Sequence, residues 1–96
     1  MEFSMTTLVQ TNYTATTDDF YIGVDAKGPI TITLPECEDG KQYIIKSEMN
    51  PPILNRRIKI VSADGSKFDG YVDHTISVSH DCLWVIRRGG NWHIVN

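Results

Sequence analysis

The chain has 96 residues, a net charge of −3 and 41% apolar residues, values typical of a single domain with a small hydrophobic core. Acidic and basic residues are interspersed, so the sequence lacks the basic face that nucleic-acid binding needs. No apolar run approaches the roughly 18 residues of a membrane helix, and the first ten residues lack the apolar segment of a secretory signal. We therefore expect no nucleic acid and no membrane among the partners, and synthesis in a reducing cytoplasm.

Alternation of apolar and polar residues dominates the chain and predicts an all-β domain. In chain order, the predicted strands cover residues 8–15, 20–24, 30–34, 42–46, 57–61, 75–79, 81–86 and 92–96. About eight short strands at this spacing are typical of a small antiparallel β-sandwich or barrel, here expected to be jelly-roll-like. Residues 1–12 are predicted to form an N-terminal arm, and residues 13–96 a single β domain.

The segments between the strands carry clear turn signals. Pro29 suits the start of a strand because proline cannot donate a hydrogen bond to a ladder, and it is followed by Ile30, Ile32 and Leu34, which we expect to face the core. Gly89-Gly90 predicts a tight hairpin, since paired glycines tolerate positive φ.

Two strands present apolar residues on both faces, in the sequences Tyr43-Ile44-Ile45 and Leu83-Trp84-Val85-Ile86. A small sandwich buries only one face of each strand, so the other face needs a second partner. Self-association would provide one, and an alternative is that the loop of residues 49–54 covers the outer face. The predicted interface residues are Phe3, Met5, Tyr43, Ile44, Ile45, Trp84, Ile86 and Arg87.

Candidate chemistry is sparse. Ser79, His80 and Asp81 are adjacent in sequence, but neighbouring residues of a strand point to opposite faces, so they do not predict a catalytic triad. Cys82 lies two residues from His80 without a recognisable oxyanion site. We expect no enzymatic activity, no catalytic residue and no cofactor.

Metal binding has no strong sequence signal either. Cys37 and Cys82 lack the spacing of a zinc site, and whether they pair in a disulfide stays open. Asp64, Asp69 and Asp73 flank a glycine-containing loop that could hold calcium, although turn aspartates bonded to their own backbone explain them without an ion. We expect no metal site.

The order of the sequence segments resembles a module of tailed-phage and giant-virus virion proteins that often lies near the C-termini of tail fibres. The resemblance rests on TATTDDFYIGVD, PITITLP, DGKQYIIKSE, IKIVSADGSKFDG and a closing GGNWHI, and it covers residues 13–96. It departs from the family pattern at Ser47-Glu48, where an acidic residue usually follows the lysine directly, and in MNPPILNRR, where the family tends to have Gly, Ala and Asn.

The resemblance implies a small β domain on the surface of a virus particle, usually trimeric and without enzymatic residues. A module with a short arm and no fibre shaft suits a homotrimeric capsid decoration (cement) protein, with the major capsid protein or other virion proteins as partners. The alternative is a tail-fibre or tail tip module that binds a host receptor or surface glycan. In both cases the expected location is the virion, after synthesis in the host cytoplasm.

Overall fold

The computed structural model describes residues 6–53 and 55–96, and the regular secondary structure in these ranges is entirely β-strand. No helix in this part of the chain is long and apolar enough to cross a membrane. Nine strands are present: β1 (Thr6–Val9), β2 (Tyr13–Thr14), β3 (Tyr21–Val24), β4 (Ile30–Leu34), β5 (Gln42–Ser47), β6 (Ile58–Ser62), β7 (Asp73–Ile76), β8 (Cys82–Arg88) and β9 (Asn91–Ile94).

The strands form two sheets, and the first six alternate between them. The five-stranded sheet has the order β1-β3-β5-β8-β9, and the four-stranded sheet has the order β2-β4-β6-β7. Strands β1, β3 and β5 run parallel to one another, as do β2, β4 and β6. From β1 to β6 the chain thus follows a flattened helical path. Each strand from β2 to β5 lies on the connection between two parallel strands of the other sheet. The chain then reverses direction, because β7 is antiparallel to β6, β8 to β5, and β9 to β8.

The all-β prediction is confirmed, but the sheets are mixed and not closed, rather than antiparallel and jelly-roll-like. Alternation cannot tell the two arrangements apart, because side chains alternate in the same way in parallel and antiparallel strands. The turn residues 35–41 accordingly carry the chain from β4 in one sheet to β5 in the other.

Three predicted boundaries also differ. Residues 8–15 were predicted to form one strand but contain parts of β1 and β2, which lie in different sheets. Residues 6–9 of the predicted arm belong to the fold as β1, and residues 1–5 lie outside the described residues. The strand predicted over residues 75–79 ends at Ile76, and Val78 is 60% exposed in the following turn.

The hydrophobic core lies between the two sheets. Ile32 and Leu34 are fully buried and Ile30 nearly so, which confirms the predicted inner face of β4. On the core side of the five-stranded sheet, the rings of Tyr43 and Trp92 meet edge to face, with their centroids 5.6 Å apart. The Tyr43 hydroxyl donates to the Thr16 carbonyl at 2.7 Å, so the buried phenol is satisfied.

A buried carboxylate connects the first strands of the two sheets. Asp19 is only 5% exposed and accepts hydrogen bonds from Thr7 Oγ1 at 2.7 Å, from the Tyr13 hydroxyl at 2.6 Å and from the Thr16 N–H at 2.9 Å. Burial alone would raise the pKa of Asp19, but these hydrogen bonds outweigh it and hold the pKa below its usual value. The hydrogen bond that the Tyr13 hydroxyl donates to Asp19 raises the pKa of Tyr13 to about 12. Asp19 therefore ties β1 of one sheet to β2 of the other.

Candidate functional site on the five-stranded sheet

The outer face of the five-stranded sheet carries most of the apolar surface that the core does not use. Its pairing register aligns Tyr21 with Ile44 and Ile44 with Trp84 across three neighbouring strands. Trp84 is 40% exposed and Ile44 is half-buried. We name this surface the outer apolar face; its residues are Leu8, Tyr21, Ile44, Trp84, Ile86 and Val95.

The predicted interface residues on β5 and β8 fall into two groups, those that point into the core and those that point outward. Tyr43 and Ile45 have no exposed surface and belong to the core, whereas Ile44 between them faces outward. On β8, Trp84 and Ile86 face outward in the same way. Phe3 and Met5 lie outside the described residues. The interface prediction therefore narrows to Ile44, Trp84 and Ile86.

Arg87, also predicted at the interface, is buried at 6% exposure and has its partners within the chain. Its two terminal nitrogens donate to Asp64 Oδ2 at 2.7 Å and to Ser66 Oγ at 2.8 Å, and its guanidinium lies 5.4 Å from the centre of the Trp92 ring. The hydrogen bond from Arg87, with those from Ser62 and Ser66, holds the pKa of Asp64 well below its usual range. This pair is part of the packing between the sheets.

The described part of the loop after β5 does not bury the outer apolar face, since Trp84 stays 40% exposed. Met49 and Ile53 of this loop are buried in the core, so the described part of the loop packs inward. Leu8 at 62% exposure and Val95 at 50% exposure add to the open surface, and neither was predicted as an interface residue. For Leu8, alternation with the buried Val9 was a usable signal.

Polar contacts hold the aromatic side chains of the face in place. Trp84 Nε1 donates to Gln42 Oε1 at 2.8 Å, so the indole lies against the neighbouring strand. The Tyr21 hydroxyl donates to Glu48 Oε2 at 2.5 Å, and this bond raises the pKa of Tyr21 to about 12. The Glu48 carboxylate lies over Gly23, where an added Cβ would meet Glu48 Oε2 at 2.3 Å. The face is therefore ordered without a partner, which lowers the entropy lost on binding.

The residues considered for chemistry do not assemble into a site. The Ser79 hydroxyl donates to the Met49 carbonyl. Asp64 forms a salt bridge with Arg87, and Asp73 Oδ2 lies 3.8 Å from Lys59 Nζ. Within the described ranges, no three His, Cys, Asp or Glu side chains come together in a way that could hold a metal ion.

The two cysteines are both free thiols, so the structure answers the question of a disulfide. Cys37 lines a cleft of about 620 Å³ together with Glu36, Glu38, Asp39, Lys41 and Thr17. Burial raises the pKa of the Cys37 thiol, with smaller opposing effects from Arg87 and Lys41. A protonated thiol among carboxylates is a poor nucleophile.

A second surface lies on the outside of the four-stranded sheet. Here a cleft of about 380 Å³ contains the cations Arg57 and Lys59 beside the hydroxyls of Thr31 and Thr75. Asn12 lines it as well, and its Oδ1 accepts a hydrogen bond from the Thr31 N–H at 2.8 Å. This cleft has the donors for an anionic or polyhydroxyl ligand.

No protein-family model matches the chain, and no curated protein matches it either.

Proposed function

We propose that the protein is a virion structural protein that forms a homotrimer and decorates the viral capsid. The observation that carries this proposal is the outer apolar face, in which Ile44, Trp84 and Ile86 of two adjacent strands remain at the surface of a folded chain. An ordered apolar patch of this kind, bordered by polar side chains, is typical of a protein interface.

The particular assignment to a virus particle is supported by the order of sequence segments described above, from IGVD through ITLP to GNW. These segments correspond to β3, β4 and the β8–β9 hairpin. In the proposed assembly the outer apolar faces of three copies pack together, and the N-terminal residues contact the major capsid protein.

Light scattering measures the first part of this proposal. At micromolar concentration we expect the mass of three chains of 10.9 kDa each. A mass of one chain under these conditions would contradict the trimer.

The copy number in purified particles tests the second part. A decoration protein occupies the whole shell and is present in many copies, whereas a fibre tip is present in a handful. Absence of the chain from purified particles would contradict a virion role of either kind.

The alternative, a tail tip module that binds a host glycan, is favoured by the cleft around Arg57 and Lys59 and by Tyr71, which is 73% exposed. Exposed aromatic and cationic side chains are suited to carbohydrate rings and their acidic groups. A glycan array should then show binding to acidic glycans that Arg57→Ala reduces about tenfold, the loss expected when a charged hydrogen bond of roughly 1.5 kcal/mol is removed. Arg88→Ala, which removes an exposed arginine from β8, is the control; equal binding by both variants would exclude the cleft.

A further inference from the structure

The two edges of the five-stranded sheet are built differently, and the β9 edge is closed by the chain itself. The Trp92 N–H donates to the Lys67 carbonyl at 2.8 Å, and the Trp92 carbonyl accepts from the Asp69 N–H at 3.0 Å. Asp69 Oδ1 also accepts from the Ile94 N–H at 3.2 Å, and Asn91 Oδ1 from the Lys67 N–H at 2.9 Å. The turn of residues 67–71 thus occupies the hydrogen-bonding positions of this edge.

Among the described residues, no strand pairs with the outer edge of β1. The Val9 carbonyl accepts from the Asp25 N–H at 3.0 Å, so Val9 faces β3. The N–H and C=O of one strand residue point to the same side, and the side alternates along the strand. The main-chain groups of Thr7 therefore also point towards β3. Those of Thr6 and Leu8 point away from β3, towards the outer edge of the five-stranded sheet.

Strand β1 also lacks two of the features that protect many sheet edges, namely charge and proline. Its sequence, Thr-Thr-Leu-Val, contains no charge and no proline, although exposed edges in monomers usually carry them. In the four-stranded sheet, by contrast, the edge strand β7 contains Asp73 and the other edge strand, β2, has only two residues. Among the four sheet edges of the described ranges, β1 is therefore the one that has neither a charge on its strand, nor a covering turn, nor a length of only two residues.

We propose that β1 pairs in antiparallel orientation with β1 of a second copy, about a two-fold axis through Thr7. In this register Thr6 of each copy lies opposite Leu8 of the other. Both residues direct their main-chain groups to the edge, so each pair exchanges two hydrogen bonds. Strand β1 itself contributes no like-charge repulsion to the pairing, and the pairing satisfies the symmetry that a closed dimer contact requires.

This contact is made by the main-chain edge of β1, whereas the outer apolar face makes its contacts through side chains; Leu8 belongs to both. The edge contact joins two five-stranded sheets edge to edge and brings Leu8 of both copies into one continuous outer surface. If the outer apolar face forms the proposed trimer, the β1 edge links one trimer to the next. If the trimer does not form, the β1 edge still gives a dimer.

The variant Leu8→Pro tests the pairing. Proline removes the Leu8 N–H, which β3 does not use, and prolines are tolerated on edge strands where the N–H faces outward. The matched control is Leu8→Ala, which shortens the same side chain but keeps the N–H. In sedimentation over a range of concentrations, we expect wild type and Leu8→Ala to reach at least twice the limiting mass of Leu8→Pro.

Two further measurements keep the result independent of any folding defect in the proline variant. The double variant Thr6→Lys/Leu8→Lys retains every β1–β3 hydrogen bond. Because Leu8 also belongs to the outer apolar face, the variant is compared in the Ile44→Asp background, where it should stay at the mass of one chain since like charges then oppose each other across the two-fold axis. In the wild type, hydrogen exchange at the Leu8 amide should slow about tenfold as concentration rises. Equal masses for wild type, Leu8→Ala and Leu8→Pro, or exchange at Leu8 that does not change with concentration, would overturn the proposal.

The face and the edge are separated by one more variant. Ile44→Asp disrupts the outer apolar face and leaves β1 unchanged, so it should still double its mass with concentration, from one chain to two. If Ile44→Asp kept the mass of one chain at every concentration, the β1 edge would not pair by itself, and the proposal would be overturned.

Discussion

A buried guanidinium needs a fixed counter-charge, and Asp64 provides one for Arg87. The Arg87 side chain is 7% exposed and the Asp64 side chain 21%, and two serine hydroxyls complete the hydrogen bonding of the carboxylate. Removing one partner of such a pair leaves the other charge buried and uncompensated, which costs far more than the intact pair contributes.

We expect Asp64→Asn to lower the free energy of unfolding at pH 7 by about 3 kcal/mol. Asp73→Asn is the matched control, since its pair with Lys59 spans 3.8 Å between side chains that are 39% and 55% exposed, and we expect it to change stability by less than about 0.5 kcal/mol. Urea unfolding of the three proteins measures both values. A loss for Asp64→Asn no larger than that for Asp73→Asn would show that the buried pair does not contribute as described.

The same pair makes stability depend on pH. The pKa of Asp64 is lower in the folded state than its ordinary value of 3.8, so its contribution is fully present above that value. As the pH falls below about 4, the unfolded chain binds the proton first and the contribution declines. The difference between wild type and Asp64→Asn in urea unfolding should therefore be constant from pH 7 to pH 5 and shrink from pH 4 to pH 2. A constant difference down to pH 2 would contradict the lowered pKa.

Among the elements, the β8–β9 hairpin shows best what local sequence determines. Arg88 pairs with Asn91, and the two glycines between them have φ values of +63° and +79°, as a type I′ turn requires. This element was predicted correctly because its conformation depends on the turn residues alone.

We expect the first turn position to accept asparagine and reject valine. Gly89→Asn should raise the free energy of unfolding by about 0.5 kcal/mol, because asparagine tolerates positive φ and restricts the unfolded chain. Gly89→Val should lower it by at least about 1 kcal/mol, since a β-branched residue is strained there. An added Cβ at Gly89 meets nothing within 4 Å, so a steric clash does not confuse the comparison. Equal thermal unfolding of the two variants would contradict the assigned turn.

The coiled path of β1 to β6 was not predictable by the same means. Ile30, Ile32 and Leu34 were correctly assigned to the core, because one apolar face is visible in the sequence of a single strand. Whether the next strand pairs with β4 or crosses to the other sheet depends on contacts between residues far apart in sequence. The same applies to Arg87, whose burial depends on Asp64, 23 positions earlier.

For the whole molecule, the important property is that β5 and β8 serve two surfaces at once. Their inner residues complete the core with the four-stranded sheet, and their outer residues form the outer apolar face. Both sets of apolar residues are visible in the sequence, but the sequence does not say which set faces the core. The full burial of Ile45 decides this, because neighbouring residues of a strand point to opposite faces. Ile44 and Ile45 are therefore adjacent residues with different expected roles.

Introducing a charge at each position separates the two roles. Ile45→Asp buries a carboxylate without a partner, and we expect it to lower the free energy of unfolding by at least about 4 kcal/mol, so that the chain no longer folds stably. Ile44→Asp places the charge on the outer apolar face, where water can solvate it in a single chain, so stability should change by less than about 1 kcal/mol. In the proposed trimer the same charge would be buried, and light scattering should show the mass of the assembly falling while circular dichroism shows a folded β protein. If Ile44→Asp kept the wild-type mass, the outer apolar face would not be the contact that holds the subunits together.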